Sequence, residues 1–105
     1  MGSYRRKLDI IADILDVAKR GAKKTQIMYQ ANLSYKLLTI YLAEIIEASL
    51  VRFERKKRCY ALTTKGLEFL QKYKDYSRRN KHIERQLNDI STKRKVLEEL
   101  CSNSK

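Results

Sequence analysis

This chain of 105 residues has no proline, two cysteines and one histidine. The small numbers of cysteines and histidines each exclude a class of protein. Two cysteines, Cys59 and Cys101, are too few for a secreted disulfide framework, and we expect reduced, partly buried thiols. A single histidine leaves no cluster with metal-ligand spacing. His82 lies in a strongly polar segment where no Ser/His/Asp set or glycine-rich phosphate loop can form. We therefore expect no enzyme, metal, cofactor or small-molecule substrate.

Long apolar runs are also missing. No run approaches the roughly 20 residues that a membrane-spanning helix needs, and the start MGSYRRKLD lacks the apolar centre of a signal peptide. A soluble, cytoplasmic protein without a membrane partner is expected. What the chain has is positive charge, with 24 Lys and Arg against 12 Asp and Glu and a formal net charge of +12. Such an excess predicts attraction to a polyanion, most often nucleic acid.

A helix-turn-helix pattern occupies residues 25–47, TQIMYQANLSYKLLTIYLAEIIE. A short apolar helix over 26–31 and an Asn-Leu-Ser turn precede a second helix that begins at Tyr35 and is capped by Ser34. The predicted buried stripe of that helix consists of Leu38, Leu42 and Ile45, widened by Tyr41 and Ile46. Its other face begins with side chains that can reach bases or phosphates in the major groove, namely Ser34, Tyr35, Lys36 and Thr39.

The segment before this motif predicts a helix over about residues 4–19. Its apolar side chains recur at helical spacing and are expected to be mostly core: Leu8, Ile11, Ala12, Leu15 and Ala18, widened by Ile10, Ile14 and Val17. The basic cluster Arg5, Arg6 and Lys7 is either a flexible arm or the first helical turn. Gly21 is predicted to end the helix. Residues 22–24 then lead into the next helix, either as a loop or as a very short strand.

After the second helix of the motif, the apolar period changes from 3.6 to 2. Val51 and Phe53 fall on one face of a predicted strand, and Tyr60 and Leu62 on one face of the next. The turn between them is four consecutive cations: Arg55, Lys56, Lys57 and Arg58. In isolation such a run is usually a solvated turn. A basic hairpin directly after a helix-turn-helix instead predicts the wing of a winged helix, which lies on the DNA backbone.

The rest of the chain predicts one long helix, capped by Thr63 and Thr64, with Leu67 and Leu70 still packed on the winged domain. No glycine follows Gly66, and the helical pattern continues to about Cys101. Ten positions alternate by four and three residues and form a heptad seam: Phe69, Tyr73, Tyr76, Asn80, Ile83, Leu87, Ile90, Arg94, Leu97 and Cys101. Because a lone helix would leave this seam in water, we expect a homodimer.

The direction of the two helices stays open from the residues. A parallel pair gives attractive flanking charges and matches Asn80 with itself, but it places Arg94 against Arg94. An antiparallel pair crossing near Arg85 covers all ten seam positions and gives Arg94 a tyrosine ring as partner, with Glu84 near Glu84 as its unfavourable contact. These contacts slightly favour the antiparallel pair.

The run KLDIIADILDVAKRGAKKTQIMYQANLSYKLLTIYL, followed by a hairpin, ALTTKG and a long heptad helix, resembles the "ten-a" chromatin proteins of Sulfolobus and related archaea. The resemblance covers nearly the whole chain, and GAKKTQIMYQANLSYKLL is its most specific part. It implies a winged-helix domain joined to a helix that forms an antiparallel coiled-coil dimer. It also implies an architectural protein that bends, bridges or coats DNA, some members being regarded as transcription regulators. The implied DNA contacts are Ser34, Tyr35, Lys36, Thr39 and residues 55–58.

These observations predict a mainly α fold with a small β-hairpin: a winged helix-turn-helix over residues 1–66 and a dimeric coiled-coil helix with a short polar tail over 67–105. The expected function is architectural, largely sequence-independent binding of double-stranded DNA in the nucleoid. A sequence-specific transcriptional regulator is the alternative, and a coiled-coil protein-interaction module is a third reading.

Overall fold

The computed structural model describes residues 5–102. Within that range the chain forms four α-helices, a short 3₁₀ turn and one two-stranded antiparallel sheet. In chain order these elements are α1 (Lys7–Val17), the 3₁₀ turn (Ala18–Arg20), α2 (Lys24–Gln30), α3 (Tyr35–Glu47), β1 (Val51–Glu54), β2 (Cys59–Leu62) and α4 (Thr64–Cys101). The predicted fold class, mainly helical with one hairpin, is confirmed.

The first helix begins later than the sequence predicts. Residue 4, the predicted start, lies outside the described residues, and α1 begins at Lys7 because Asp9 accepts a hydrogen bond from the backbone N–H of Arg6 and so caps the first turn. The helix then buries Ile14 and Leu15 completely. The prediction that Leu8 belongs to the core is wrong, since this first-turn side chain is 45% exposed.

The core of the winged unit is formed by the apolar faces of α1, α2 and α3. Ile14, Leu15, Ile27, Leu38 and Ile45 are its largest fully buried side chains. Burial of each such side chain contributes roughly 1.5–3 kcal/mol. The stripe predicted for α3 is confirmed at Leu38, Leu42 and Ile45. The predicted widening at Ile46 is wrong, because that side chain is exposed.

Gly21 ends the first helical segment, as predicted. Its φ of 84° lies in the region that favours glycine, and its N–H donates to the carbonyl of Ala18. The next residue, Ala22, forms an isolated antiparallel bridge with Tyr60, which is the very short strand that the sequence suggested. This bridge ties the segment before α2 to the hairpin.

The predicted hairpin is present, and its register places Val51 opposite Leu62 and Phe53 opposite Tyr60. The Phe53 and Tyr60 rings lie with centroids 5.0 Å apart, a cross-strand aromatic pair of the kind that stabilises sheets. Val51 and Cys59 are buried. Because directly opposed residues share a face, Val51 and Cys59 lie on opposite faces of the hairpin, which is thus buried at its base on one face and beside its turn on the other.

The start of α4 is fixed against the base of the hairpin. Thr63 caps the helix, because its hydroxyl accepts from the N–H of Gly66 at 3.0 Å and donates to the carbonyl of Ser49 at 2.6 Å. Gly66 is buried, and a Cβ at that position would lie 2.1 Å from the carbonyl oxygen of Leu50. Leu70 is only 2% exposed, as predicted, whereas Leu67 is 43% exposed.

The contacts divide the chain into two units, Met1–Tyr73 and Lys74–Lys105. In the second unit α4 carries its own ion pairs one turn apart, such as Lys93 with Asp89 at 3.1 Å. Asp75 receives hydrogen bonds from Arg78 and Arg79, which lower the pKa of its carboxyl. The helix ends at Cys101, as predicted. Among the described residues no helix is long and apolar enough to cross a membrane.

Candidate nucleic-acid interface

The N-terminus of α3 is set by a capped turn. The Ser34 hydroxyl accepts a hydrogen bond from the N–H of Leu37 at 3.1 Å, which confirms the predicted cap. Asn32, in the turn before it, has a φ of 56°, a left-handed conformation that asparagine tolerates better than most residues. The first turns of α3 therefore start from a well-defined point, and this matters because in this motif those turns approach the bases.

Arg5 holds the same turn from the other side. One of its guanidinium nitrogens donates to the carbonyl of Ala31 at 2.7 Å and to Asp13 at 2.9 Å, and the other donates to the carbonyl of Asn32 at 2.9 Å. A planar guanidinium can make these bonds together, whereas an ammonium group cannot. Arg5 is thus neither a flexible arm nor part of the first helical turn. Its hydrogen bonds stabilise the turn from which α3 begins.

The predicted side chains Tyr35, Lys36 and Thr39 of α3 are all exposed. Lys36 and Thr39 lie on the outward face, whereas Tyr35, the first residue of the helix, lies at the N-terminal end of the stripe that is buried further along. Two further residues that sequence reasoning missed extend the outward face: Ile40, 54% exposed, and Ala43. The signal was present, because positions 36, 39, 40 and 43 follow the i, i+3, i+4, i+7 spacing of one helical stripe. The face is thus cationic at its start and apolar in the middle.

Lys24, the first residue of α2, also belongs to this surface and was missed. Its ammonium donates to the Thr39 hydroxyl at 2.8 Å and lies 4.0 Å from the centroid of the Tyr35 ring. The second distance is within the range of a cation–π interaction. Lys24 therefore joins the N-terminus of α2 to two of the predicted contact residues of α3.

The tip of the hairpin carries the four predicted cations, Arg55 to Arg58, and all four are exposed. Within residues 5–102 none of them takes part in an ion pair or a side-chain hydrogen bond. The acid nearest along the chain, Glu54, is held by Arg52 at 3.0 Å. The charge of the tip is consequently available to an external anion.

One acidic side chain of α3, Glu44, is neutralised by a lysine of the same chain. Lys7 lies 2.7 Å from Glu44, and this hydrogen-bonded ion pair raises the pKa of the Lys7 ammonium. Glu44 lies one turn after Ile40 on the outward side of α3, so Lys7 neutralises an acidic group at the C-terminal end of that side. The outward face thus keeps a positive balance near its N-terminal end.

The second predicted surface, the seam of α4, falls into two parts. Phe69 and Tyr73 are half-buried and pack against the core of the winged unit, and the Tyr73 hydroxyl donates to Asp9. From Tyr76 onward the apolar seam side chains are exposed: Tyr76 by 48%, Ile83 by 53%, Leu87 by 59%, Ile90 by 61% and Leu97 by 62%. Cys101 is exposed as well, so the expectation of a partly buried thiol is wrong for the single chain. The role of the seam stays a prediction.

Among residues 5–102 no three His, Cys, Asp or Glu side chains are placed to hold a metal ion. The exposed surface of the winged unit offers charge, hydrogen-bonding groups and apolar area. Their arrangement, a capped helix with an outward cationic face followed by a basic hairpin, is that of a binding surface for an anionic polymer.

Comparison with known proteins agrees with this geometry. A family described as winged helix-turn-helix matches residues 4–81. An uncharacterised protein of Methanocaldococcus jannaschii is 36% identical over 75 residues, which are 70% of this chain and 35% of that protein. The chain thus spans about a third of the length of this relative.

One solved structure shares the fold over nearly the whole chain. The crystal structure of Sso10a-2, described as a DNA-binding protein from Sulfolobus solfataricus, superposes with a TM-score of 0.66 over 94% of this chain and 100% of the other. The sequence identity is 23%. At the level of the fold, the resemblance read from the sequence is confirmed.

Proposed function

Because the chain belongs to the winged helix-turn-helix family, we propose that it binds double-stranded DNA, with α3 in the major groove and the hairpin tip on the phosphate backbone. The observation that carries the proposal is the tip itself. Four consecutive cations, residues 55–58, have no ion-pair partner in the described chain, immediately after a helix with an exposed polar N-terminal face. The description of Sso10a-2 as DNA-binding supports the same reading.

The distribution of charge favours an architectural, largely sequence-independent role on nucleoid DNA. Residues 1–63 contain 13 basic and 6 acidic residues, a net +7, and residues 64–105 contain 11 basic and 6 acidic residues, a net +5. Basic side chains on α4, such as Lys72 and Lys81, could extend the phosphate contacts beyond the winged unit. Binding dominated by phosphates carries little sequence information.

A salt titration tests this proposal. Two unrelated 30-base-pair duplexes are titrated with protein at several salt concentrations, and near-equal affinities that fall steeply with salt are expected. In the variant Lys56→Ala/Lys57→Ala, the slope of log K against log salt should become shallower by about two units, since each phosphate contact contributes about 0.9. The control Lys93→Ala/Lys95→Ala removes the same charge from α4. A control slope reduced as much as that of the wing variant would contradict a specific role for the wing.

A sequence-specific regulator is the second candidate. The observation that favours it is the exposed outward face of α3, where Tyr35, Lys36 and Thr39 can reach base edges. This candidate predicts one preferred site whose binding survives excess competitor DNA. If instead two random duplexes compete equally with every selected sequence, the architectural role is supported.

We also propose that the protein acts as a homodimer through α4. Leaving Ile83, Leu87, Ile90 and Leu97 in water forgoes roughly 1.5–3 kcal/mol for each side chain that a partner could cover. Asn80 and Arg94 interrupt this seam, and polar residues at such positions usually fix register and strand number. Sedimentation equilibrium should give twice the chain mass of 12.4 kDa, and Leu87→Lys should give a monomer. A monomeric wild type would refute the dimer.

An antiparallel pair is the arrangement we favour, because it pairs the mostly exposed seam positions 76–94 with one another and places Arg94 beside Tyr76 of the other chain. Oxidation of Cys101 distinguishes a parallel from an antiparallel pair of helices. In a parallel pair the two Cys101 thiols face each other and should form a disulfide under mild oxidation. In an antiparallel pair they lie at opposite ends, and no cross-linked dimer should form. Rapid cross-linking of the wild type would therefore overturn the antiparallel arrangement.

A coiled-coil protein-interaction module is the remaining reading. It predicts that replacing all four wing cations with alanine leaves function intact, whereas Leu87→Lys removes it. The DNA-binding proposal predicts that the wing variant loses most of its affinity for duplex DNA while remaining a dimer. The two measurements together separate the roles of the wing and the seam.

A further inference from the structure

The hydroxyl group of Thr39 is already engaged inside the protein. Its hydrogen is donated to the carbonyl of Tyr35 at 2.8 Å, and its oxygen accepts from Lys24 at 2.8 Å. A hydroxyl has one donor hydrogen and two acceptor sites, so Thr39 has no hydrogen left for a base. One acceptor site of the oxygen remains, but both bonds hold the oxygen toward the helix backbone and α2, so the methyl group is the apolar part of the side chain that an external ligand can contact.

The neighbours of Thr39 on the outward stripe are apolar too. Ile40 is 54% exposed, and Ala43 follows on the same stripe one turn later. The centre of the predicted recognition face is thus a patch of methyl groups (Thr39, Ile40 and Ala43), here called the methyl patch. Cations lie on its N-terminal side, at Lys36 on α3 and Lys24 on α2.

We propose that the methyl patch reads the C5-methyl groups of thymine in the major groove, with Lys24 as the residue that positions it. The inference rests on the proposed DNA binding and adds a base preference to it. Thymine is the standard base that displays a methyl group in that groove, and apolar side chains are its usual partners. A patch with cations on its N-terminal side matches a methyl-bearing polyanion better than an apolar protein surface.

This preference is compatible with an architectural role. A methyl group marks any A·T pair and is read independently of its neighbours, so the contact favours thymine-containing DNA without requiring a defined site. Each methyl group that is buried against the patch should change the affinity by about fourfold, which is the effect of burying one aliphatic carbon. A defined operator would require several bidentate hydrogen bonds in addition.

The test changes only the base methyl groups. One mixed-sequence duplex is prepared with thymine or with deoxyuridine, and a G·C-rich duplex with cytosine or with 5-methylcytosine. The full-length protein should lose at least about fourfold in affinity when thymine becomes deoxyuridine, and gain when cytosine becomes 5-methylcytosine. The use of both duplexes separates the methyl contact from changes in groove shape, because the methyl group is removed in one and added in the other.

Variants of the methyl patch should no longer distinguish thymine from deoxyuridine in the duplex. Thr39→Ser keeps the hydroxyl and removes the methyl group, so the ratio of thymine to deoxyuridine affinity should fall toward one. Thr39→Val keeps a methyl group but cannot accept a hydrogen bond from Lys24, so its ratio should fall only as far as that of Lys24→Met. Ile40→Ala should lower it. These variants form double-mutant cycles with the base substitution, which isolate the contact itself.

The role of Lys24 is tested against its neighbour. Lys24→Met should lower the thymine to deoxyuridine ratio, whereas Lys23→Met should weaken binding to both duplexes alike. NMR gives a readout without DNA: ring current from Tyr35 should shift the Lys24 ε-methylene protons upfield, in the wild type and in Tyr35→Phe but not in Tyr35→Leu. An unshifted signal in the wild type would remove the positioning role.

The outcomes separate this inference from the proposed function. Binding to every duplex with equal affinity, whatever the methyl content, overturns the methyl patch and leaves DNA binding intact. Absence of binding to all four duplexes overturns both. Discrimination that persists unchanged in Thr39→Ser and Ile40→Ala also overturns the assignment, since the methyl group would then be read elsewhere.

Discussion

Replacing Gly66 by alanine should destabilise the winged unit strongly, although alanine is the better helix former. In the wild type, the helical backbone at Gly66 passes directly over the base of the hairpin. An added Cβ would lie 2.1 Å from the Leu50 carbonyl oxygen and 2.5 Å from a methyl carbon of Leu62. The leucine side chain can rotate away, but the carbonyl cannot, because it accepts the N–H of Thr63 at 3.1 Å. The start of α4 must therefore move by about 1 Å to restore van der Waals contact.

Three effects determine how much the Gly66→Ala substitution changes the free energy of unfolding. Overpacking costs about 1–3 kcal/mol, and loss of the Thr63 to Leu50 hydrogen bond costs about 1 kcal/mol. Higher helix propensity returns about 1 kcal/mol. The net loss is about 2 kcal/mol, or a fall in melting temperature of about 10 °C for a unit of this size.

Urea and thermal denaturation followed by circular dichroism measure this loss. Wild type and variant must be compared at equal protein concentration, because any dimerisation makes the apparent stability depend on it. Ser91→Ala, at an exposed site of α4, is the control for helix propensity and should be neutral or slightly stabilising. A Gly66→Ala protein as stable as the wild type would show that the helix and the hairpin base are not in close contact.

Three further predictions concern single hydrogen-bonded groups. Ser34→Ala should cost about 1 kcal/mol in urea denaturation, because the first turn of α3 loses its cap; an unchanged midpoint would argue against the cap. Arg5→Lys should cost about 1–2 kcal/mol, because an ammonium cannot replace the forked guanidinium, whereas Arg6→Lys, exposed beside it, should change little; equal effects would refute the specific role. The pKa of Asp75 is lowered by its two arginine partners, so its stabilising effect is present above about pH 4 and disappears as pH falls through the lowered pKa. NMR titration should show this low pKa, and Asp75→Asn should remove that part of the acid loss of α4 helicity; a wild-type carboxyl with an ordinary pKa would contradict it.

The features that sequence predicted well are those determined by local chemistry. The Ser34 cap, the Gly21 terminus and the buried stripe of α3 depend on residues within one or two turns of each other, so their spacing is sufficient evidence. The two strands of the hairpin also followed from the alternation of apolar residues. The four cations of the turn are exposed for the same local reason, since a tight turn has little surface in which to bury them.

Apart from Ile40 and Ala43, whose helical spacing was visible, the features that sequence missed depend on contacts between distant segments. Lys24 meets Thr39 across 15 positions, and Arg5 meets Ala31 across 26. Neither contact has a periodic signature, because each arises only when the helices pack. Phe69 and Tyr73 satisfied the heptad pattern and also pack on the winged core, which the pattern alone does not reveal. Heptad spacing describes one face of a helix but not which neighbour covers it.

One residue at the tip of the hairpin, Arg58, has a backbone conformation that is unfavourable for its side chain. Arg58 has a φ of 51°, and a side chain other than glycine or asparagine costs roughly 1–2 kcal/mol in that left-handed region. Arg58→Gly should therefore relax the turn and make the protein more stable, while removing one charge from the surface that we assign to phosphate contact. At this position the wing thus has a less favourable backbone conformation but keeps a positive charge. A version of this protein selected for heat resistance alone would be expected to lose that arginine early, together with part of its hold on DNA.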